Sequence, residues 1–156
     1  MPPELLTFLT AMTPIGELRA SVPLGIVQFE LTWPVVFLLS ILGNMTPIPP
    51  ILYMLRTVGG RIERMDNPLG ALLRWRTARI ERQWGSTVKR YGLLGIVIVV
   101  AIPLPFTGAW TGALTVWALR VQPRLGLIGI AIGIVIAGII VTALTLAGVE
   151  LIKLFG

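Results

Sequence analysis

The segment Thr13-Pro-Ile-Gly-Glu-Leu-Arg-Ala-Ser-Val-Pro23 interrupts the apolar N-terminal stretch of this chain. Its prolines and glycine break a helix, and its glutamate and arginine add two charges at the break. The apolar runs on either side, residues 5–16 and 20–29, reach only about halfway across a bilayer, because a spanning helix needs about 20 apolar residues. Residues 5–29 are therefore predicted to form a re-entrant hairpin, in which two half-helices enter and leave the membrane through the same face.

A second interruption, Pro103-Leu-Pro-Phe-Thr-Gly-Ala-Trp-Thr-Gly112, lies near the middle of the uncharged residues 91–119. Two prolines and two glycines in so short a stretch do not suit a straight helix. We predict a second re-entrant hairpin over residues 91–119. The alternative is a single kinked helix that crosses the membrane, since prolines are tolerated in membrane helices.

The composition places the chain in a membrane and limits its chemistry. Hydrophobic residues make up 55% of the 156 residues and charged residues 13%, against about 25% charged residues in soluble domains, which excludes a soluble globular protein. The chain has no cysteine and no histidine, which excludes thiol chemistry, disulfides and Cys/His metal sites. We predict one membrane domain over residues 1–156, with no catalytic residue, no metal site and no cofactor.

Two uncharged stretches are long enough to cross a bilayer, and the charges between them orient the chain. Residues 31–55 and 125–150 are predicted transmembrane helices. Residues 56–90 carry nine basic and three acidic side chains, so they are predicted to form a cytoplasmic amphipathic helix on the inner leaflet, with no role in nucleic-acid binding. The first span then runs inward, and Arg120 and Arg124 favour a second hairpin that returns to the cytoplasm.

The predicted layout is an all-α integral membrane protein built as an inverted-topology repeat. Each half is a re-entrant helical hairpin followed by one transmembrane helix, and the second half is upside down relative to the first. Secondary transporters use such repeats, with a midplane site where two broken elements meet.

The charged pair in the first hairpin is the leading candidate for function. A charge inside the membrane costs roughly 2.5–3.5 kcal/mol on insertion scales and is functional by default. Glu17 is suited to exchange a proton or to coordinate a cation, and Arg19 is suited to hold a phosphate or carboxylate. The alternatives are a structural ion pair and a hairpin too shallow to bury the two charges.

The second hairpin offers neutral polar groups to the same predicted site. Thr107 and Thr111 supply hydroxyls, Trp110 supplies an indole donor, and Gly108 and Gly112 allow close backbone approach or simply helix packing. Four prolines at the two breaks complete the predicted substrate and ion site: Pro14, Pro23, Pro103 and Pro105.

Two features of the predicted spans leave alternatives open. Asn44 lies in an interruption of the first span, residues 43–50, where it either lines the same cavity or belongs to a kinked packing helix. Gly129, Gly133 and Ala137 form a small-residue face on the last span, which serves either internal packing or a dimer seam. We predict a homodimer, because two hairpins and two spans form a small body for enclosing a cavity.

The residues 14–23 and 103–112 resemble the two signature stretches of the small multi-drug export family of prokaryotic membrane proteins, and the resemblance extends over nearly the whole chain. It implies a multi-pass protein of the prokaryotic cytoplasmic (inner) membrane that exports small molecules. The layout is also similar, more loosely, to the DedA-type lipid carriers, whose paired re-entrant hairpins carry Glu, Arg and Pro. The second hairpin of this chain lacks the arginine of that pattern.

Three functions follow from these expectations. The first is a secondary transporter that works by alternating access, with H⁺ or Na⁺ coupled through Glu17. The second is a flippase for a lipid phosphate such as undecaprenyl phosphate, with Arg19 as the anion ligand. The third is a membrane scaffold that transports nothing. An enzyme is least favoured, since a lone carboxylate beside an arginine makes a poor acid–base pair.

Overall fold

A computed structural model describes residues 1–102 and 107–155 of the chain. Helix accounts for 84% of the residues and the described ranges contain no strand, which confirms the all-α prediction. The helices of these ranges are α1 (Pro3–Met12), α2 (Glu17–Pro23), α3 (Trp33–Met45), α4 (Ile48–Met54), α5 (Gly60–Glu63), α6 (Pro68–Tyr91), α7 (Leu93–Ala101), α8 (Ala109–Ala118) and α9 (Pro123–Phe155). Two π-helical turns, Leu24–Gln28 and Leu55–Gly59, extend α2 and α4.

Two helices are long and apolar enough to cross a membrane. One covers Trp33–Glu63, from α3 to α5, and the other is α9. Both are longer than the roughly 20 residues that a span requires. The first helix continues past residue 55, where the sequence predicted its end, because the π-helical turn keeps the chain helical as far as Glu63.

Proline chemistry explains the interruption in the first of these helices. α3 ends at Met45 and α4 begins at Ile48, so Pro49 and Pro50 fall in the first turn of α4. Proline is tolerated there because the N–H groups of a first turn have no acceptor within the helix. Just before the prolines, the Thr46 hydroxyl donates to the Leu42 carbonyl at 2.6 Å.

The chain divides into two compact units, of which the first comprises Met1–Pro47 and Ile134–Gly156. In unit 1, α1, α2 and α3 pack around a core that includes Ala11, Val22 and Val36. α1 and α3 approach closely at Gly43, where a Cβ would lie 2.4 Å from the Phe8 carbonyl oxygen. Only glycine fits this contact, so the close approach of α1 and α3 depends on it.

Unit 2 comprises Ile48–Gly133 and is built around α6. Asn67 caps the start of this helix, its Oδ1 accepting from the Gly70 N–H at 2.8 Å. Ile80 and Val88 are buried on the face that packs against α7 and α8. Of residues 56–90, predicted as one amphipathic helix, those up to Glu63 continue the first long helix and α6 begins only at Pro68. One face of α6 is covered by protein, and its place on the inner leaflet stays a prediction.

The small-residue face of α9 contributes to packing within unit 2. Gly129 lies against Ile96 of α7, and a Cβ on Gly133 would lie 2.6 Å from the Val100 Cβ. These glycines therefore let α9 approach α7 closely. The structure favours the packing alternative for both glycines, and a dimer seam there finds no support.

Candidate functional site

The break between α1 and α2 is held by a threonine side chain. The Thr13 hydroxyl accepts from the Gly16 N–H at 2.9 Å and donates to the Thr10 carbonyl at 2.8 Å. A Cβ on Gly16 would lie 2.5 Å from both of these oxygens, so only glycine fits. Pro14 and Ile15 lie exposed at the tip of the break. Pro14 thus helps to shape the turn and does not reach the buried groups that follow it.

Glu17, the first residue of α2, combines burial with backbone strain. Its φ is +46°, a left-handed backbone conformation that residues other than glycine rarely adopt. The residue is 7% exposed, and a charge at such a position is costly unless it is compensated. Non-glycine residues held in this region cost about 1–3 kcal/mol and cluster at functional sites. The fold therefore holds a buried carboxylate in an unfavourable backbone conformation.

Arg19 supplies a positive charge to this carboxylate. Its side chain is half-buried, and its guanidinium interacts electrostatically with Glu17. The structure thus brings the two charged candidates together, as a pair within unit 1. Pro23 closes α2 at its junction with the π-helical turn, so the segment carrying both charges is short.

Two buried serines link α2 to α3. The Ser21 hydroxyl donates to the Ser40 hydroxyl at 2.8 Å, and both side chains are fully buried. One helical turn further on, Gly25 lies against Val36. From the first contact to the second, the residue number rises by four along α2 and its π-helical extension and falls by four along α3. This is the register of antiparallel helices.

The same register brings Asn44 to the level of Glu17. Asn44 follows Ser40 by one turn, as Glu17 precedes Ser21 by one turn. Asn44 is 2% exposed, and its Oδ1 has no hydrogen-bond partner among the described residues. A buried acceptor without a donor costs about 1–3 kcal/mol. We call these four residues the polar seam of unit 1: Glu17, Ser21, Ser40 and Asn44.

The second break lies between α7 and α8. It contains a hydrogen bond from a threonine hydroxyl and a glycine whose backbone conformation is disfavoured for other residues. Pro103 and Pro105 lie outside the described residues. The Thr107 hydroxyl donates to the Ile102 carbonyl at 2.8 Å. Gly108, which precedes α8, has φ +137° and ψ −163°, a combination restricted to glycine.

The remaining predicted residues of this break lie on α8. Thr111 is buried, and Gly112 packs closely on α7, since a Cβ there would lie 2.5 Å from Val100 Cγ2. Gly112 thus serves packing. The indole Nε1 of Trp110 is buried and has no hydrogen-bond partner among the described residues.

Arginines reach the second break from a part of the chain that the sequence did not connect with it. Arg76 and Arg79 of α6 line a cavity of about 40 Å³ together with Thr107 and Thr111. This is room for one or two water molecules. Residues 91–119 contain no arginine, and the arginines beside Thr107 and Thr111 come from α6.

Several polar side chains of unit 1 were missed in the sequence. Thr13 shapes the first break, Ser21 and Ser40 form the seam, and Thr142 is buried with its hydroxyl unpartnered among the described residues. A signal was available for the serines, because each lies four residues from a predicted site residue, on the same helix face.

Comparison with protein families identifies the chain. A family model described as "Putative small multi-drug export protein" matches residues 17–140. The chain belongs to this family. The matched range begins at Glu17 and contains every predicted site residue except Pro14. No curated protein and no solved structure matches the chain.

Membership in the small multi-drug export family sets the class of the protein. Together with two helices long enough to span a bilayer, it makes the chain an integral membrane protein of an exporter family. The family indicates a transporter of small molecules rather than an enzyme. The looser DedA-type resemblance gains no support from the comparisons.

Proposed function

We propose that this protein exports small molecules across the prokaryotic cytoplasmic membrane by alternating access, driven by H⁺ or Na⁺ that binds at Glu17. The observation that carries the proposal is the buried and strained carboxylate at the break between α1 and α2. Family membership supports export. The coupling role of Glu17 rests on this carboxylate and not on the family.

The polar seam has the chemistry that an ion-coupling site requires. A buried carboxylate is neutralised by a proton or a small cation, and burial makes neutralisation favourable. Asn44 Oδ1 is an unused acceptor at the same level, and the hydroxyls of Ser21 and Ser40 are further oxygen atoms. Hard cations prefer such oxygen ligands. Arg19 offers the carboxylate an alternative partner when the coupling ion leaves.

We further propose that residues 5–29 and 91–119 are re-entrant hairpins in an inverted repeat. Support comes from a cavity in unit 2 that is lined by both Arg56 and Arg120. Arg56 follows the predicted first span and Arg120 follows the predicted second hairpin. Their common location supports a hairpin that returns to the face it left, with residues 56–90 in the cytoplasm.

Single cysteines test this layout, because the chain contains none. In intact cells, a membrane-impermeant thiol reagent is expected to label Glu30→Cys, and to label Arg61→Cys and Arg124→Cys only after the membrane is permeabilised. Labelling of position 124 from outside would contradict the second hairpin and, with it, the inverted repeat.

Transport by the purified protein in liposomes tests the proposed activity. With ethidium as the probe, we expect accumulation that follows either an imposed pH gradient or an imposed Na⁺ gradient and stops when an ionophore collapses it. The responsive gradient identifies the coupling ion. Empty liposomes are the control. Ethidium flux equal to that of empty liposomes under both gradients would contradict the proposal for this substrate class.

A second candidate function is the movement of a lipid phosphate. The observations that favour it are the half-buried Arg19 and the positions of Arg76 and Arg79 beside Thr107 and Thr111. Guanidinium groups suit phosphate because they bind it with two parallel hydrogen bonds. Movement that depends on a phosphate head group, and not on an ion gradient, would favour this candidate over export.

The homodimer stays a prediction. Gly129 and Gly133, two of the three residues of the suggested seam, face α7. An interface between two copies would therefore use other surfaces, such as the exposed apolar side chains of α9, among them Ile128, Ile132 and Ile139.

A further inference from the structure

Unit 2 contains an open cavity of about 580 Å³, a size typical of ligand sites. Its lining includes three arginines and two glutamates: Arg56, Arg64, Arg120, Glu63 and Glu81. The lining also includes Leu52, Val116 and Trp117, which form its apolar wall. The cavity shares no residue with the polar seam.

The three arginines of this cavity lack partners within the described ranges. None of them forms an ion pair or a side-chain hydrogen bond there, although Glu63 and Glu81 also line the cavity. Glu63 Oε1 accepts from the Thr77 hydroxyl at 3.1 Å, and Thr77 also lines the cavity. The lining thus has three basic and two acidic groups, and its three exposed guanidinium groups are available to an anion.

The backbone at Arg120 adds an independent observation. The Val121 N–H donates to the Val116 carbonyl at 2.9 Å, and the Arg120 N–H donates to the Trp117 carbonyl at 3.2 Å. These two bonds form a Schellman motif that ends α8, in which glycine is the usual residue at the position of Arg120. Arg120 has φ +55°. The chain thus places a guanidinium where its backbone would favour glycine.

The apolar wall is fixed in place by close packing. The Trp117 ring packs closely on Gly59, where a Cβ would come within 2.8 Å of Cζ2. Val116 and Leu52 are only 2% and 5% exposed, so the half-buried Trp117 supplies the accessible part of the wall. A bulkier residue at position 59 would displace the indole. The wall is therefore a preformed surface for a hydrocarbon or aromatic group.

We propose that this cavity binds an amphiphile whose phosphate head is held by Arg56, Arg64 and Arg120 and whose apolar part lies against Trp117. The arginines match the head, and the indole ring gives the rest of the molecule a partner that water cannot replace. The proposal does not depend on ion coupling at Glu17.

Binding to the purified full chain in a neutral detergent tests the proposal. Dioctanoyl phosphatidic acid is titrated by calorimetry, with dioctanoyl phosphatidylcholine and inorganic phosphate as the comparison probes. We expect phosphatidic acid to bind at least about 10-fold more tightly than either probe, because only it carries both the anionic head and the apolar chains.

The key variant is Arg120→Gly, because glycine suits the backbone there and should leave the melting temperature unchanged or raise it. It is expected to weaken phosphatidic acid binding about 10-fold, as the loss of a charged hydrogen-bonding group typically does. Arg56→Gln should do the same, and Arg124→Gln, outside the cavity, should have no effect.

Two results would overturn the proposal. One is unchanged phosphatidic acid affinity in both Arg120→Gly and Arg56→Gln. The other is a comparison probe that binds as tightly as phosphatidic acid. Equal binding of phosphatidylcholine would show that the guanidinium groups are not needed, and equal binding of inorganic phosphate would show that the apolar wall is not needed.

Discussion

Replacing Glu17 by glutamine should abolish gradient-driven transport and leave the protein folded. Glutamine keeps the size of the side chain and its capacity for hydrogen bonding, but it cannot take up or release a proton and has no charge for a cation. If coupling passes through this carboxylate, flux in liposomes should fall by about 100-fold or more, to the level of empty liposomes, as expected for loss of a required acid–base group.

Glu30→Gln is the matched control for this experiment. Glu30 has the same unusual backbone, with φ +53°, but its side chain is exposed. A substitution there reproduces the change of side chain in a left-handed conformation without touching a buried charge. We expect its flux and melting temperature to equal those of the wild type.

The outcome separates coupling from folding. Lost flux in Glu17→Gln with an unchanged melting temperature and retained ethidium binding supports coupling at Glu17. Wild-type flux in Glu17→Gln would end the coupling role and, if ethidium moves without any gradient, would favour a passive pathway. Equal losses of flux in Glu17→Gln and Glu30→Gln would assign the effect to the left-handed backbone that the two positions share rather than to the buried carboxylate.

Local chemistry explains why the positions of both breaks could be predicted. Gly16 and Gly108 are needed where a side chain would clash or would strain the backbone. These requirements depend on residues close in sequence, so proline and glycine patterns reveal them. The two long helices were predictable for a similar reason, since a run of uncharged residues is itself a local property.

The partners of the site residues depend on packing and could not be predicted. Nothing near Thr107 in sequence indicates Arg76, because their proximity follows from how α6 lies on α8. The bond between Ser21 and Ser40 likewise depends on the register of two helices. The left-handed backbone at Arg120 could not be predicted either, since it comes from a motif that normally contains glycine at that position.

The Glu17–Arg19 pair offers the second decisive experiment, because it separates a working pair from a structural one. Arg19→Gln leaves the Glu17 carboxylate buried without its opposite charge, and breaking a buried pair typically costs 3–5 kcal/mol. Arg19 is half-exposed, and solvent lowers that value, so we expect a loss of about 2–3 kcal/mol in the free energy of unfolding. Glu17→Gln should cost less, because the remaining arginine can turn toward water.

The double variant Glu17→Gln/Arg19→Gln completes the cycle. With no charge left to bury, it should recover much of the stability lost by Arg19→Gln, since replacing both members of a buried pair is often close to neutral. Unfolding in detergent gives the stabilities, and flux in liposomes gives the activities. A double variant that is stable but inactive would mean that the charged pair serves transport and that folding does not require it. A double variant that is as stable and as active as the wild type would exclude the break between α1 and α2 as the working site.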